Sequence, residues 1–332
     1  MQLVLNTAGL ILRVKSGAFS VQQEDEHRLI SPKQLHSIAV TAPCLLSTAA
    51  VELAAEYGIP IYLFDRIGDA TACLRSPYFE SIATLRRKQV YFDDGPEAIN
   101  WVLDIMLEKT DRQIRVLRYL ADRRPSRAEQ LNQTARQLSE RTKTLADLQD
   151  QLLGPHTRRL MGWEGQQSRN YWSAVGAALP KEWAFARRSR RPALDGFHAA
   201  LNYLYGMLYT VVEQALFATG LDPHLGILHV DQHNAPTLAF DLIEPFRPLV
   251  DRLLIELCMK RRLQSNQFDQ RREGWYLNNA GKRLIIPAFN AWLQTKARMG
   301  GRQRTHRLHI YQAAADLASR IRDYPLPAQA EP

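Results

Sequence analysis

Apolar and polar positions alternate in short stretches near the N-terminus, at Leu3 to Leu5, Leu10 to Val14 and Ile38 to Val40, with turn residues between them. A period of two places successive side chains on opposite faces of a sheet and predicts strands. The opening MQLVLNTAGLILRVKSG reads as a strand pair; it lacks the basic leader of a signal peptide. STAAVELAAEYG breaks the alternation and predicts a helix, with Ser47 as a cap for its first amides and Gly58 able to end it at positive φ. IPIYLFD returns as a buried strand, followed by a Gly-containing turn in RIGDAT.

After RSPYFESIATLRRKQ the period becomes helical. Pro96 suits the first position of a helix over EAINWVLDIMLEK, where a missing N–H costs nothing. Pro125 and Ser126 break a helical pair, and Ser126 with Glu129 has capping-box spacing. Leu131, Leu138, Leu145 and Leu152 recur at heptad spacing and predict one apolar seam, a helical hairpin packed on a neighbour. GMLYTVVEQALFATG predicts an amphipathic helix ending at Gly220, and the tail PLPAQAEP is too poor in apolar residues to fold. The expected class is α+β: a small β-rich N-terminal domain over residues 1–82, a larger all-α domain over 83–325 and a disordered tail over 326–332.

Composition changes this picture in three ways. The 332 residues exceed what one core usually holds, which agrees with two domains. No apolar run reaches the length of a membrane-spanning helix, and Cys44, Cys73 and Cys258 are too far apart for a zinc-thiolate motif or a disulfide framework, which fits a reducing cytoplasm. The net charge of +9 favours a polyanionic partner, and its distribution points to nucleic acid. ARRSRR gathers Arg187, Arg188, Arg190 and Arg191; KRRLQSNQFDQRR carries Lys260, Arg261, Arg262, Arg271 and Arg272; KARMGGRQRTHR holds five Lys and Arg residues and no carboxylate. Single runs of this kind are usually solvated faces, whereas three together read as one phosphate-binding surface.

The candidate chemistry centres on HVDQHNAPTLAFDLIEPFRP, residues 229–248. Asp241 and Glu244 have capping-box spacing, with Asp241 as N-cap, and are open to a purely structural role. Residues three apart on a helix also share a face, so the two acids can aim at one ion, with a histidine from the preceding segment completing the set. Carboxylates with one imidazole suit Mg²⁺ or Mn²⁺; zinc would recruit more histidine or cysteine. His229 and His233 are four apart, but HNAP is turn-prone and argues against a helix there. Upstream, LMGWEGQQSRNYW sets Glu164 beside Gly165, either as a first-turn acid at a helix N-terminus or where a backbone or ligand comes close to the glycine. Neither a Walker-type or dinucleotide Gly-rich loop nor a Gly-x-Ser-x-Gly elbow occurs.

These segments in order resemble the CRISPR-associated integrase family that captures new spacers. The resemblance rests on EG followed by R-x-Y-W (Glu164 to Trp172), on RRSRRPALDGFHAALNYLYGML, on GLDPHLGILH ending at His229, and on LAFDLIEPFRPLVD with Asp241, Glu244, Phe246, Arg247 and Pro248. LSTAAVELAAEYGIPIYLFDRIGDA is similar to the family's β-domain, so the likeness spans most of the chain. It implies that Glu164, His229 and Glu244 hold one catalytic divalent ion, Mg²⁺ or Mn²⁺, with Asp241 as a supporting acid that either helps to hold the ion or orients His229. His224, Asp231 and His233 fall outside the pattern. It further implies DNA strand transfer by a 3′-hydroxyl of a captured fragment on a phosphodiester of the CRISPR repeat. Arg187, Arg188, Arg190 and Arg191 would bind DNA together with Arg169 and Arg247. A homodimer through the N-terminal domain and a small ferredoxin-like CRISPR-associated partner are also implied. Two other functions use the same residues: a metal-dependent nuclease on branched or damaged DNA, with water as nucleophile, and a non-enzymatic DNA-binding scaffold in which the acids are helix caps.

Overall fold

The computed structural model of the chain describes residues 2–23, 26–35, 37–64, 70–76, 83–230, 233 and 235–325. The RIGDAT turn, the boundary near residue 82 and the tail 326–332 fall largely or wholly outside the described residues. The N-terminal region forms strands β1 (Gln2–Leu5), β2 (Ile11–Lys15), β3 (Ala18–Gln23), β4 (Glu26–Ile30), β5 (Ser37–Val40) and β6 (Leu45–Leu46), helix α1 (Thr48–Glu56), and strands β7 (Ile61–Phe64) and β8 (Ala70–Leu74). They make two four-stranded sheets, ordered β1-β5-β7-β8 and β4-β3-β2-β6. The strand pair expected at the N-terminus is corrected by this topology. β1 and β2 both form, but β1 pairs in parallel with β5, and β2 pairs antiparallel with β3.

Side chains from both sheets and from α1 meet in one core that includes Leu5, Leu12, Phe19, Ile38, Ala54 and Ile61. Alternation in the strands and small residues on α1 allow that close approach. Ser47 caps α1, its hydroxyl accepting from the Ala50 amide at 3.2 Å. Gly58 follows with φ +62°, the left-handed conformation that a glycine adopts without steric cost.

The rest of the chain is mainly helical: α2 (Ala83–Tyr91), α3 (Pro96–Arg123), α4 (Ala128–Thr142), α5 (Thr157–Ala178), α6 (Gly196–Ala218), α7 (Thr237–Leu242) and α8 (Arg247–Met259), then strands β9 (Phe268–Arg271) and β10 (Gly274–Leu277), α9 (Asn279–Gln294), strands β11 (Lys296–Met299) and β12 (Arg302–Thr305), and α10 (His306–Asp323). The class is α+β, a β-rich N-terminal region followed by a helical domain. Two antiparallel hairpins, β9–β10 and β11–β12, interrupt the helices where the sequence reading expected none. The second is the basic run KARMGGRQRTHR: Gly300 and Gly301 take φ +53° and +77° at its turn, so the glycines that looked incidental among cations close a hairpin.

By compactness the chain divides into one unit of Met1–Phe79, Arg191–Thr210 and Leu263–Thr295 and a second of Glu80–Arg190, Val211–Arg262 and Lys296–Pro332. The three basic runs are thereby shared between the units. In the second unit α3 is the central helix, touching α4, α5, α7 and α8. Its apolar stripe includes Val102, Ile105, Met106, Val116, Leu117 and Leu120.

Local expectations in this unit fare unevenly. Pro96 opens α3 as predicted. α4 starts after Arg127 without a side-chain cap, so the box expected from Ser126 and Glu129 does not form. A 3₁₀ turn over Pro125–Arg127 precedes the helix and holds Ser126 in a conformation unlike that of an N-cap. Leu131, Leu138 and Leu145 are buried, but α4 ends at Thr142 and Leu152 lies 54% exposed, so the heptad seam stops one residue short.

Candidate metal-binding carboxylate site

The second unit brings three chain segments to α3. Glu164 lies in the second turn of α5 and not in its first turn or at a cap. Gly165 beside it has room for a side chain: a Cβ there would meet only Arg169 Nη1 at 3.6 Å, an ordinary contact. No described backbone therefore approaches Gly165 closely. Glu244 begins a 3₁₀ turn, Glu244–Phe246, between α7 and α8. His229 sits in the irregular segment before α7, as the turn-prone HNAP suggested, and His233 is exposed in a turn; Asp231 lies outside the described residues.

Asp241 is completely buried and caps nothing. It lies inside α7, which begins at Thr237, so the N-cap reading of Asp241 is corrected. Its carboxylate turns to the preceding segment and accepts from the amides of Ile227 (2.8 Å), Leu228 (3.0 Å) and His229 (3.1 Å), and it contacts His229 Nδ1 at 2.5 Å. Four partners satisfy a buried carboxylate that would otherwise be costly. The contact fixes the imidazole and leaves Nε2 as the ring nitrogen not engaged by Asp241. Gly226 lets the segment fold this tightly, since a Cβ there would lie 2.2 Å from the His229 carbonyl oxygen. Both Asp241 oxygens are thereby engaged by the chain, and one of them meets the His229 ring.

Glu164 and Glu244, remote in sequence, converge on the ammonium of Lys109 from α3. Lys109 Nζ contacts Glu164 Oε1 and lies 2.5 Å from Glu244 Oε2, while Arg247 Nε stands 3.1 Å from Glu244 Oε1. Ser168, one helical turn beyond Glu164, donates to Glu164 Oε1 at 2.6 Å. Arg112, one turn beyond Lys109, donates to the Pro245 carbonyl at 2.6 Å and lies over the Phe246 ring, pinning the turn that carries Glu244.

The electrostatics follow from burial opposed by neighbouring charge. Burial pushes the Glu244 carboxyl up, but Arg247 and Lys109 outweigh it and bring it down to about 2. Burial likewise raises Glu164, and Lys109 more than offsets this to leave it below the ordinary range. Burial disfavours the charged forms of Lys109 and His229, yet Glu244 and Glu164 raise Lys109, and Asp241 raises His229.

Lys109, Arg112 and Ser168 were not anticipated from sequence. The available signal for Lys109 was a charge on the apolar stripe of α3, where the helical period demands a core residue. Among the proposed DNA-binding arginines, Arg187, Arg190, Arg191 and Arg169 are exposed and Arg188 is half-buried, 5.8 Å over the Trp172 ring. Arg247 is less exposed and stands 3.1 Å from Glu244 Oε1 in the carboxylate cluster.

The donor chemistry of Glu164, Glu244 and His229 fits a hard divalent ion, and both carboxylates already close on one cation. Among the described residues no three His, Cys, Asp or Glu side chains reach mutual metal-ligand spacing. Lys109 occupies the gap between the two acids.

A family model described as CRISPR associated protein Cas1 matches residues 3–291. The chain belongs to the Cas1 family. This Cas1 chain is 26% identical over 334 residues to a CRISPR-associated endonuclease Cas1 of Archaeoglobus fulgidus, covering 97% of this chain and 96% of the relative. It is 31% identical over 268 residues to one of Rhodospirillum rubrum, covering 78% and 75%. In fold it is similar to a Cas1 protein from Thermotoga maritima, with TM-score 0.82, 22% identity and 98% of each chain covered. A casposase bound to integration product gives TM-score 0.82 and 23% identity over 98% of this chain and 92% of that one.

Proposed function

We propose that this Cas1 chain joins DNA ends to CRISPR repeats by phosphoryl transfer, using one Mg²⁺ or Mn²⁺ held by Glu164, His229 and Glu244. Membership of the Cas1 family makes it a CRISPR-adaptation integrase/endonuclease. The observation that carries the residue assignment is the convergence of Glu164 and Glu244 on a single cation beside the Asp241-held imidazole.

The 3′-oxygen of a captured fragment attacks a phosphorus of the repeat, a new ester forms, and the repeat's own 3′-oxygen leaves. The ion, when bound, supplies charge that polarises the phosphate and eases deprotonation of the attacking hydroxyl. The chain's own groups position what surrounds that centre. Asp241 holds His229 in one tautomer and orientation, Ser168 orients Glu164, and Arg112 fixes the backbone from which Glu244 projects. Arg187, Arg188, Arg190, Arg191 and Arg169 neutralise DNA phosphates and set register without reading bases.

A chain of a Cas6-RT-Cas1–Cas2 complex, similar in fold over 97% of this chain with TM-score 0.81, supports assembly with a CRISPR-associated partner, which the proposal takes to be small and ferredoxin-like. A homodimer through residues 1–82 and a cytoplasmic location belong to the same proposal. The separated free cysteines suit that compartment, and no helix among the described residues is long and apolar enough to cross a membrane.

Glu164→Ala, His229→Ala and Glu244→Ala should each abolish joining of a 3′-hydroxyl DNA to a repeat-containing plasmid while retaining DNA binding. Full joining by any of them removes that residue from the site. Joining undiminished by EDTA excludes the metal mechanism, and nicked products without joined ones identify a hydrolytic nuclease.

A further inference from the structure

We infer that Lys109 is a tethered competitor for the metal ion, a built-in cation that holds Glu164 and Glu244 together until a divalent ion displaces it. The inference rests on the metal-site reading above and concerns how that site is filled. Lys109 is only 8% exposed, on the buried face of α3, so its charge is retained for a reason other than solvation. Its ammonium engages one oxygen of each acid, Glu164 Oε1 and Glu244 Oε2. Arg247 stands beside the remaining Glu244 oxygen, and Ser168 adds a donor to Glu164 Oε1.

A divalent ion placed between the two acids competes with Lys109 for Glu164 Oε1 and Glu244 Oε2. A second cation on that oxygen pair is disfavoured, because like charges at short range in a poorly solvated site repel. The flexible four-carbon stem of lysine allows the ammonium to leave without moving its backbone. Arg112, one turn away on the same helix, keeps its bond to the Pro245 carbonyl, so α3 and the Glu244 turn remain in register during the exchange. Lys109 consequently has two effects: it relieves repulsion between the acids before the ion arrives, and it weakens binding of the ion.

The test compares the wild-type full chain with Lys109→Met, which keeps the length of the stem and removes the charge. Mn²⁺ affinity is measured by titration calorimetry, with thermal unfolding before and after Mn²⁺ addition. Lys109→Met should melt lower without Mn²⁺, bind Mn²⁺ on the order of tenfold more tightly, and gain more in Tm on binding. A merely structural lysine would lower the first melting point and leave affinity unchanged or weaker, and that result overturns the inference while leaving the metal-site reading intact. No Mn²⁺ binding to either protein overturns both.

A second measurement needs no variant. Amine-reactive labelling of Lys109 in the wild-type chain, followed by peptide mass spectrometry, should accelerate several-fold at saturating Mn²⁺. A rate that stays constant or falls also overturns the inference.

Discussion

The two halves of the site are built on different principles. On one side, Asp241 and His229 are held by the chain itself, through three backbone amides on the fully buried Asp241 carboxylate and a short contact to the imidazole. On the other, Glu164 and Glu244 are held in place chiefly by cationic side chains, Lys109 and Arg247. Backbone amides cannot leave, whereas a side-chain cation can be exchanged for another. One half is therefore a fixed orienting device and the other a receptor whose geometry depends on the charge placed in it.

The largest expected effect tests the fixed half. Asp241→Ala strands three buried amides and should cost about 3–5 kcal/mol in denaturant unfolding, with metal affinity lost as His229 loses its orientation. A loss no greater than that of Glu164→Ala would erase the distinction between the halves.

Acid tests the cation-held half. Glu244 has its carboxyl held near 2 in the folded chain against an ordinary value of 4.5, so its contribution is present above about pH 4.5 and is lost as pH falls through 2. That loss amounts to roughly 3 kcal/mol, an upper figure because Lys109, Arg247, Glu164 and His229 all face the group and titrate or rearrange with it. Denaturant unfolding from pH 5 to 2 should show the decline, and Glu244→Gln should flatten it. An unchanged slope in that variant would assign the acid sensitivity elsewhere.

Two smaller changes sharpen the contrast. Gly226→Ala forces apart the His229 carbonyl and the Thr237 side chain and should cost about 1–3 kcal/mol, weakening Mn²⁺ binding through His229 alone. Ser168→Ala removes one donor from a carboxylate that keeps Lys109 and should cost about 1 kcal/mol or less, measured as a small Tm shift with joining activity retained.

What the sequence made legible was local and one-dimensional. The Ser47 cap, the Gly58 terminator and the Pro96 start of α3 are decided within a few residues, and all three appear where the pattern puts them. Spacing alone failed where a distant partner outbid the local option. Asp241 and Glu244 have capping-box spacing, but the amides of Ile227 to His229 claim Asp241, and Lys109 with Arg247 claims Glu244. Ser126 and Glu129 failed for a nearer reason, the 3₁₀ turn ahead of α4. The β11–β12 hairpin was hidden because its strands are mostly polar and show no apolar alternation, leaving only the Gly300–Gly301 turn as a signal. Lys109 was the least legible of all, since nothing in its neighbourhood along the chain names the carboxylates it joins. Glu164, by contrast, stood out beside Gly165 and took its ligand role from the family resemblance, and the structure sets it against the same ammonium as Glu244.

The bond from Arg112 to the Pro245 carbonyl has a consequence for speed as well as shape. It clamps the turn that begins at Glu244 to the helix that carries Lys109, so exchanging one cation for another leaves the main chain where it was. Reorganisation is then confined to side-chain torsions and spares the slower motion of backbone segments. A site built in this way can change its occupant at the pace of a rotamer, and its scaffold never has to wait for a fold to move.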